Sequence, residues 1–262
     1  MPQLFFDPSC DGHVHTSFCG HAHGAMEEYV VAAISRGLSE IVFLEHLECG
    51  INYFESTWLT EKDFVAYHQE GVRLRQVYGD RICIGLGVEV GYNPEAVPAL
   101  LGVLSRHRWD RIGISYHYYA IGGRHYNVVS RRPCNLEALS SHGVERVIGE
   151  YLDGLLDAVH QLPGTVVCHL DAVLRHLPGV RFSDGHRNQI SRLLVAMRER
   201  NMALEINTSG FVHRGAPYPA WEVIQEAASI GIPLLAGSDA HRPSEVGRHF
   251  DRLEALRVAL VS

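Results

Sequence analysis

Four histidines, His13, His15, His21 and His23, crowd into the stretch "DGHVHTSFCGHAHG" at Asp11–Gly24. A neutral imidazole offers a nitrogen lone pair to a divalent transition metal. The spacing His13-x-His15 suits chelation, because alternate residues of a strand point to one face and can share an ion. Further candidate ligands are scattered: His46 in "FLEH", Glu89 in "GLGVEVG", His117 in "SYHY", His169 in "CHLD", and Asp239 and His241 in "GSDAH". Glu89 interrupts an apolar run, where an unpaired carboxylate is costly. A neighbouring arginine or a pair of cations would satisfy it. Any one of these histidines taken alone is ordinarily structural, and the chain has seventeen, so a criterion is needed.

Position relative to the predicted strands supplies it. Continuous apolar runs, which suit strands covered on both faces, enter His13 and His15 and recur at 40–46, 81–90, 110–118, 165–171, 202–208 and 232–241. Helical patterns lie between them at 24–38, 60–79, 143–161, 184–200, 218–230 and 244–260, with Thr60 placed to cap the second. Alternating strands and helices imply βα units and a parallel sheet. In a parallel barrel the carboxyl ends of the strands gather on one face, where active sites are built. The candidate ligands fall at those ends, so residues far apart in the chain are expected to converge in one cavity. The longest irregular stretch, 120–143, is expected to be a functional lid.

Length and composition fit one domain over 1–262: hydrophobic residues are 46%, charged residues 20%, and the net charge is −7. An acidic chain argues against general nucleic-acid binding. No run approaches the ~18 apolar residues that span a bilayer. The six cysteines form no CxxC pair and the N-terminus lacks a signal-like apolar run, so reduced thiols in a cytoplasmic protein are expected. The oligomeric expectation is a monomer or small homo-oligomer. Seven further histidines, His68, His107, His142, His160, His176, His186 and His249, are read as surface residues. No role is assigned to His125 or His213, and the tryptophans are read as packing residues.

The ordered segments "DGHVHT", "LEH", "GVEV", "SYHY", "CHLD" and "GSDAH" resemble the motifs of the polymerase-and-histidinol-phosphatase (PHP) superfamily. The "CGH" cluster followed by "EEY", the "EINTSG" strand end and "GSDAHRPSEVG" resemble its histidinol-phosphate phosphatases more closely still. The resemblance spans essentially the whole chain. It implies a distorted seven-stranded (β/α) barrel, TIM-like, with a three-metal site that hydrolyses L-histidinol phosphate, a late step of histidine biosynthesis. By that pattern His13, His15, Glu89 and Asp239 hold one ion. Glu89, His117 and His169 hold a second, and His21, His46 and His241 a third; His23 has no place in the scheme. A nitrogen-rich shell suits zinc, iron or manganese over calcium or magnesium.

The expected reaction is in-line attack on a phosphomonoester by a metal-bridging hydroxide. Asp239, His241 and Arg175 are the expected catalytic residues, with Asp239 handling protons and Arg175 gripping the phosphate. Arg214, Arg242 and Asn207 are weaker substrate-side candidates, Asn207 chiefly as an ordering residue. The chain departs from the family at "FVHRG", where "LRKG" is usual, and this loop bears on the substrate. The alternatives are another small phosphorylated metabolite or nucleotide, a nuclease, and a metal-binding protein without catalysis.

Overall fold

A computed structural model describes residues 6–253 of the chain. Five-residue β1 (Cys10–Val14) is buried throughout, and α1 (Met26–Ser35) follows it. Next come β2 (Glu40–Leu47), α2 (Glu61–Tyr78), β3 (Cys83–Gly91), α3 (Val97–Leu104) and β4 (Ile112–Ser115). A hairpin of β5 (Tyr118–Ile121) and β6 (Arg124–Asn127) leads into α4 (Pro133–His142) and α5 (Val144–Gln161). The chain then forms β7 (Val166–Val167), α6 (Asp184–Glu199), β8 (Ala203–Asn207), α7 (Gly210–Arg214), α8 (Trp221–Ser229) and β9 (Leu234–Gly237).

Seven strands lie in the order β1-β2-β3-β4-β7-β8-β9, each parallel to its neighbour. Past the end of β9 the sheet meets β1 again: His15 N donates to Ala240 O at 2.9 Å and Asp239 N to His13 O at 2.8 Å. The result is the distorted seven-stranded barrel expected from the sequence. Helices pack outside it through apolar stripes. On α5 the buried Val147, Ile148, Tyr151, Leu152 and Leu155 recur at helical spacing, and each such side chain contributes ~1.5–3 kcal/mol by leaving water. Thr60 caps α2 as expected, its hydroxyl accepting from Asp63 N at 3.3 Å while Asp63 Oδ2 accepts from Thr60 N at 2.9 Å.

Four expectations need correction. The 120–143 segment is no irregular lid: Gly122 and Gly123 both take positive φ (58° and 79°), the geometry of a tight hairpin turn, so β5 and β6 pair and α4 follows. The fifth barrel strand is shorter than 165–171, because only Val166 and Val167 pair on both sides. The helix expected from 218 starts at Trp221, since Tyr218 pairs with Asn207 instead (N···O 2.9 and 2.7 Å). Of the helix expected at 244–260, residues 243–245 form a 3-10 turn, residues 246–249 form turns, residues 250–253 are helical as expected, and residues 254–260 lie outside the described region. No helix among the described residues is long and apolar enough to cross a membrane, and no disulfide links the six cysteines.

Candidate metal centre

The carboxyl ends of β1, β2, β3 and β9, with the segments following β4 and β7, carry the expected ligands to one mouth of the barrel. Strand register does part of this work: His46 is the direct neighbour of Glu89 in the β2–β3 pairing. Glu89, 1% exposed, is the hub. Its Oε1 lies 2.7 Å from His169 Nε2 and 3.3 Å from His117 Nε2. Its Oε2 lies 2.9 Å from His46 Nδ1 and 3.6 Å from both His13 Nε2 and His15 Nε2. Asp239 Oδ1 stands 3.3 Å from His15 Nε2 and 3.6 Å from His241 Nδ1. Both Asp239 (φ 52°) and His169 (φ 26°) adopt left-handed backbone, a strained state that surrounding structure must hold in place.

Donor atoms within 4.8 Å of one another form the groups His13–His15–Asp239, His46–Glu89–His117, His15–His46–His241 and His13–Glu89–Cys168. The first group holds three of the four residues expected around the first ion, Glu89 Oε2 standing 3.6 Å from both imidazoles. His46 lies nearer Glu89 and His15 than the expected partition implies, and His21 reaches the cluster by its ring, 4.6 Å from that of His241 and 5.2 Å from that of His46. His23 is exposed and joins the site by backbone alone, its N–H donating to His241 O at 2.8 Å.

Two observations test whether a metal fits these residues. His13 Nε2 and His15 Nε2 face each other at 2.9 Å, while buried Glu89 Oε2 makes no well-formed hydrogen bond although His46 Nδ1 lies 2.9 Å away. Converging nitrogens beside such a carboxylate oxygen are the donor set of a transition metal. Electrostatics agrees. Burial and the neighbouring imidazoles push His15 well below its ordinary value and His46 to about 4, which leaves their lone pairs free, whereas His21 is exposed at the rim. Burial opposes ionisation of Glu89 and Asp239, yet the surrounding histidines hold both well below the usual carboxylate range.

Behind the ligands stands a layer of buried acids that the sequence reading did not assign. Glu205 Oε1 lies 2.6 Å from His13 Nδ1, and Glu48 Oε1 lies 2.8 Å from His117 Nδ1. A carboxylate on one ring nitrogen fixes the tautomer and directs the other nitrogen to an ion. Burial alone would lower both imidazoles. Glu205 and Glu89 outweigh it at His13, and Glu89 and Glu48 raise His117 to about 10. Glu45 accepts from Thr16 N at 2.8 Å, and Asp11 accepts from Ser238 N at 2.8 Å and Gly247 N at 2.7 Å. Asp11, Glu45 and Glu205 interrupt apolar strands just as Glu89 does, so the same signal could have found them, whereas Glu48 lies just past β2.

Beside the cluster opens a cavity of about 100 Å³. Its far wall is formed by Thr57, Tyr118, Asn127, Val129, Arg175 and Tyr218. Arg175 lines this cavity as its cation, with its guanidinium against His213 and its buried Nε unpartnered. The other candidates do not converge. Arg214 grips Asp171 with two bonds of 2.8 and 3.1 Å, because that buried acid needs a cation. Arg242 is exposed and outside the cavity lining. Asn207 orders its surroundings, donating to Glu205 Oε2 at 3.1 Å and accepting from Ser209 N at 3.0 Å. The surface reading of His186 is overturned: it is buried, its Nε2 3.0 Å from Glu145 O. Half-buried His68, His107, His142, His176 and His249 are not plain surface residues either, and His160 alone of the seven is exposed.

A parallel barrel with this imidazole and carboxylate mouth is the architecture of a metal-dependent phosphoesterase domain. The sequence profile of the PHP domain matches residues 11–209, that of the PHP-associated region matches residues 220–255, and the chain belongs to the PHP domain family. It is 30% identical to the "Probable histidinol-phosphatase" of Deinococcus radiodurans, over 95% of this chain and 92% of that one. To the histidinol-phosphatase of Bacillus subtilis it is 26% identical, over 92% and 96%. The fold also matches the crystal structure of histidinol phosphate phosphatase from Lactococcus lactis complexed with zinc, L-histidinol and phosphate. The TM-score there is 0.79 at 22% identity, covering 96% of this chain and 93% of that one.

Proposed function

We propose that this protein is a metal-dependent phosphomonoesterase that hydrolyses L-histidinol phosphate to L-histidinol and phosphate. The observation that carries the reading is Glu89, buried among five imidazoles and opening onto a cavity that Arg175 lines. Its curated relatives named histidinol-phosphatase support the substrate.

His13, His15, Asp239 and Glu89 would hold one divalent transition-metal ion, Glu89, His117 and His169 a second, and His21, His46 and His241 a third. Such ions, when bound, supply Lewis acidity toward phosphoryl oxygens and acidify water at neutral pH. The chain's own residues do the rest. Arg175 meets the phosphate, since a guanidinium can present two parallel N–H donors to phosphoryl oxygens. Asp239 faces the cavity, and the surrounding histidines hold its carboxyl well below the usual carboxylate range; as a carboxylate it can relay the proton of the attacking water to the leaving alkoxide. Ser209 Oγ donates its one proton to Asn207 Oδ1 at 2.6 Å and lies 3.4 Å from Asp239 Oδ2, so it borders that carboxylate without holding it. Tyr118, Asn127 and Thr57 enclose the organic half of the substrate and exclude bulk water there.

Phosphate release from histidinol phosphate, measured beside a panel of phosphomonoesters and a diester, tests the reading. Histidinol phosphate is expected to give the highest kcat/KM, and the diester none. If a generic aryl phosphate does as well, the substrate assignment fails and the phosphatase assignment survives; if no monoester is cleaved by the zinc- or manganese-loaded protein, both fail.

A further inference from the structure

Glu205 lies in β8, the five buried residues "ALEIN", with its carboxylate inside the barrel and 3% exposed. Its two oxygens are occupied by expected ligand residues that reach it from either side of β8, their rings 5.9 Å apart. Oε1 lies 2.6 Å from His13 Nδ1 on β1. Oε2 accepts from His169 N at 2.8 Å, just past β7, and from Asn207 Nδ2 at 3.1 Å. His169 is the residue whose backbone is left-handed (φ 26°), so this bond restrains a strained position that carries a ligand. Room for the carboxylate comes from Gly237 on β9. A Cβ there would stand 2.3 Å from Glu205 Oε1 and 2.8 Å from His13 Cβ.

We propose that Glu205 is a positioning residue that couples two of the metal sites, fixing the His13 ring with one oxygen and the His169 backbone with the other. The inference rests on the metal assignment above, in which His13 and His169 serve different ions. Glu89 would then bridge those ions directly, and Glu205 would bridge their ligands from behind. The chemistry demands a carboxylate. The His13 Nδ1–H, the His169 N–H and the Asn207 amide all donate, and an amide at 205 has a single oxygen to receive them. Glu205→Gln therefore loses at least one ligand contact in either flip of its amide, whereas the ion held by His21, His46 and His241 has no tie to Glu205.

The test is zinc retention. Zinc-loaded wild type, Glu205→Gln and Gly237→Ala are challenged with graded chelator, and the zinc kept by each chain is counted by native mass spectrometry. Circular dichroism reports the fold in parallel. Both variants are expected to release two ions together at chelator concentrations ~10-fold or more below the wild type, and the remaining ion at the wild-type concentration. Loss confined to one ion, or release unchanged in a folded variant, overturns the coupling. If Glu205→Gln does not fold, Gly237→Ala decides, since it keeps the carboxylate and presses on the same contact. A wild type that holds its zinc but cleaves no phosphomonoester sinks the proposed function and leaves this inference standing; one that binds no zinc sinks the inference.

Discussion

His68 and His107 stack beside α2 with ring centroids 4.7 Å apart at 12°, and His15 and His46 stack at the barrel mouth at 4.1 Å and 19°. Ring geometry does not separate the two clusters; their acids do. The acid near the α2 pair is Glu61, 3.4 Å from His107 Nε2 and 45% exposed, where solvent screens it. Trp109 packs on both of those rings, at 4.9 and 5.3 Å, as an apolar filler. At the mouth, Glu89, Glu48 and Glu205 are all buried, each on at least one imidazole nitrogen. A buried carboxylate is costly unless a cation answers it. The difference teaches that histidines form a metal centre where buried acids converge with them, and form ordinary packing where they do not.

The comparison breaks most sharply at the hub. Glu89→Gln and His169→Ala are each expected to lower phosphate release by at least ~100-fold, beyond the usual cost of losing an outer-shell partner, with reduced metal content in elemental analysis. Near wild-type turnover with full metal content in either variant would refute the site. One layer out, Glu48→Gln is expected to cost ~10–100-fold in metal affinity or activity, while Glu61→Gln leaves both unchanged. Equal losses in the two would erase the distinction drawn here. For Arg175→Ala, the loss of a charge-assisted phosphate contact of ~1.5–3 kcal/mol predicts a ~10–100-fold fall in kcat/KM with metal content intact. His107→Gln is expected to keep full activity and zinc, with a stability change of ~1 kcal/mol in urea unfolding. Thr60→Ala, which only uncaps α2, is expected to cost ~1 kcal/mol and no activity.

Much of the candidate site was legible because most of its expected ligands lie at or just past a strand end, and parallel barrels collect strand ends. His13, His15, Glu89, His117, His169, Asp239 and His241 needed no more than that. What stayed hidden depends on packing between distant segments. The turn of Arg214 toward Asp171 follows from a burial demand that surfaces only once the loop before α8 folds back. His46 stands close to both Glu89 and His15 because the β2–β3 register and ring stacking place it between them. Glu45 and Glu205 were readable in principle, as acids in apolar runs; only Glu89 was so read, since the others show their meaning only once the fold is known. Likewise the Gly122–Gly123 turn was a hairpin signal inside a segment taken as irregular.

Anomalous X-ray diffraction from crystals of the zinc-loaded protein tests the central claim most directly. Peaks are expected at the barrel mouth, between Glu89, Asp239 and the imidazoles of His13, His15, His46, His117 and His169, and none between His68 and His107. An empty mouth, or a peak at the α2 pair in its place, would contradict the account.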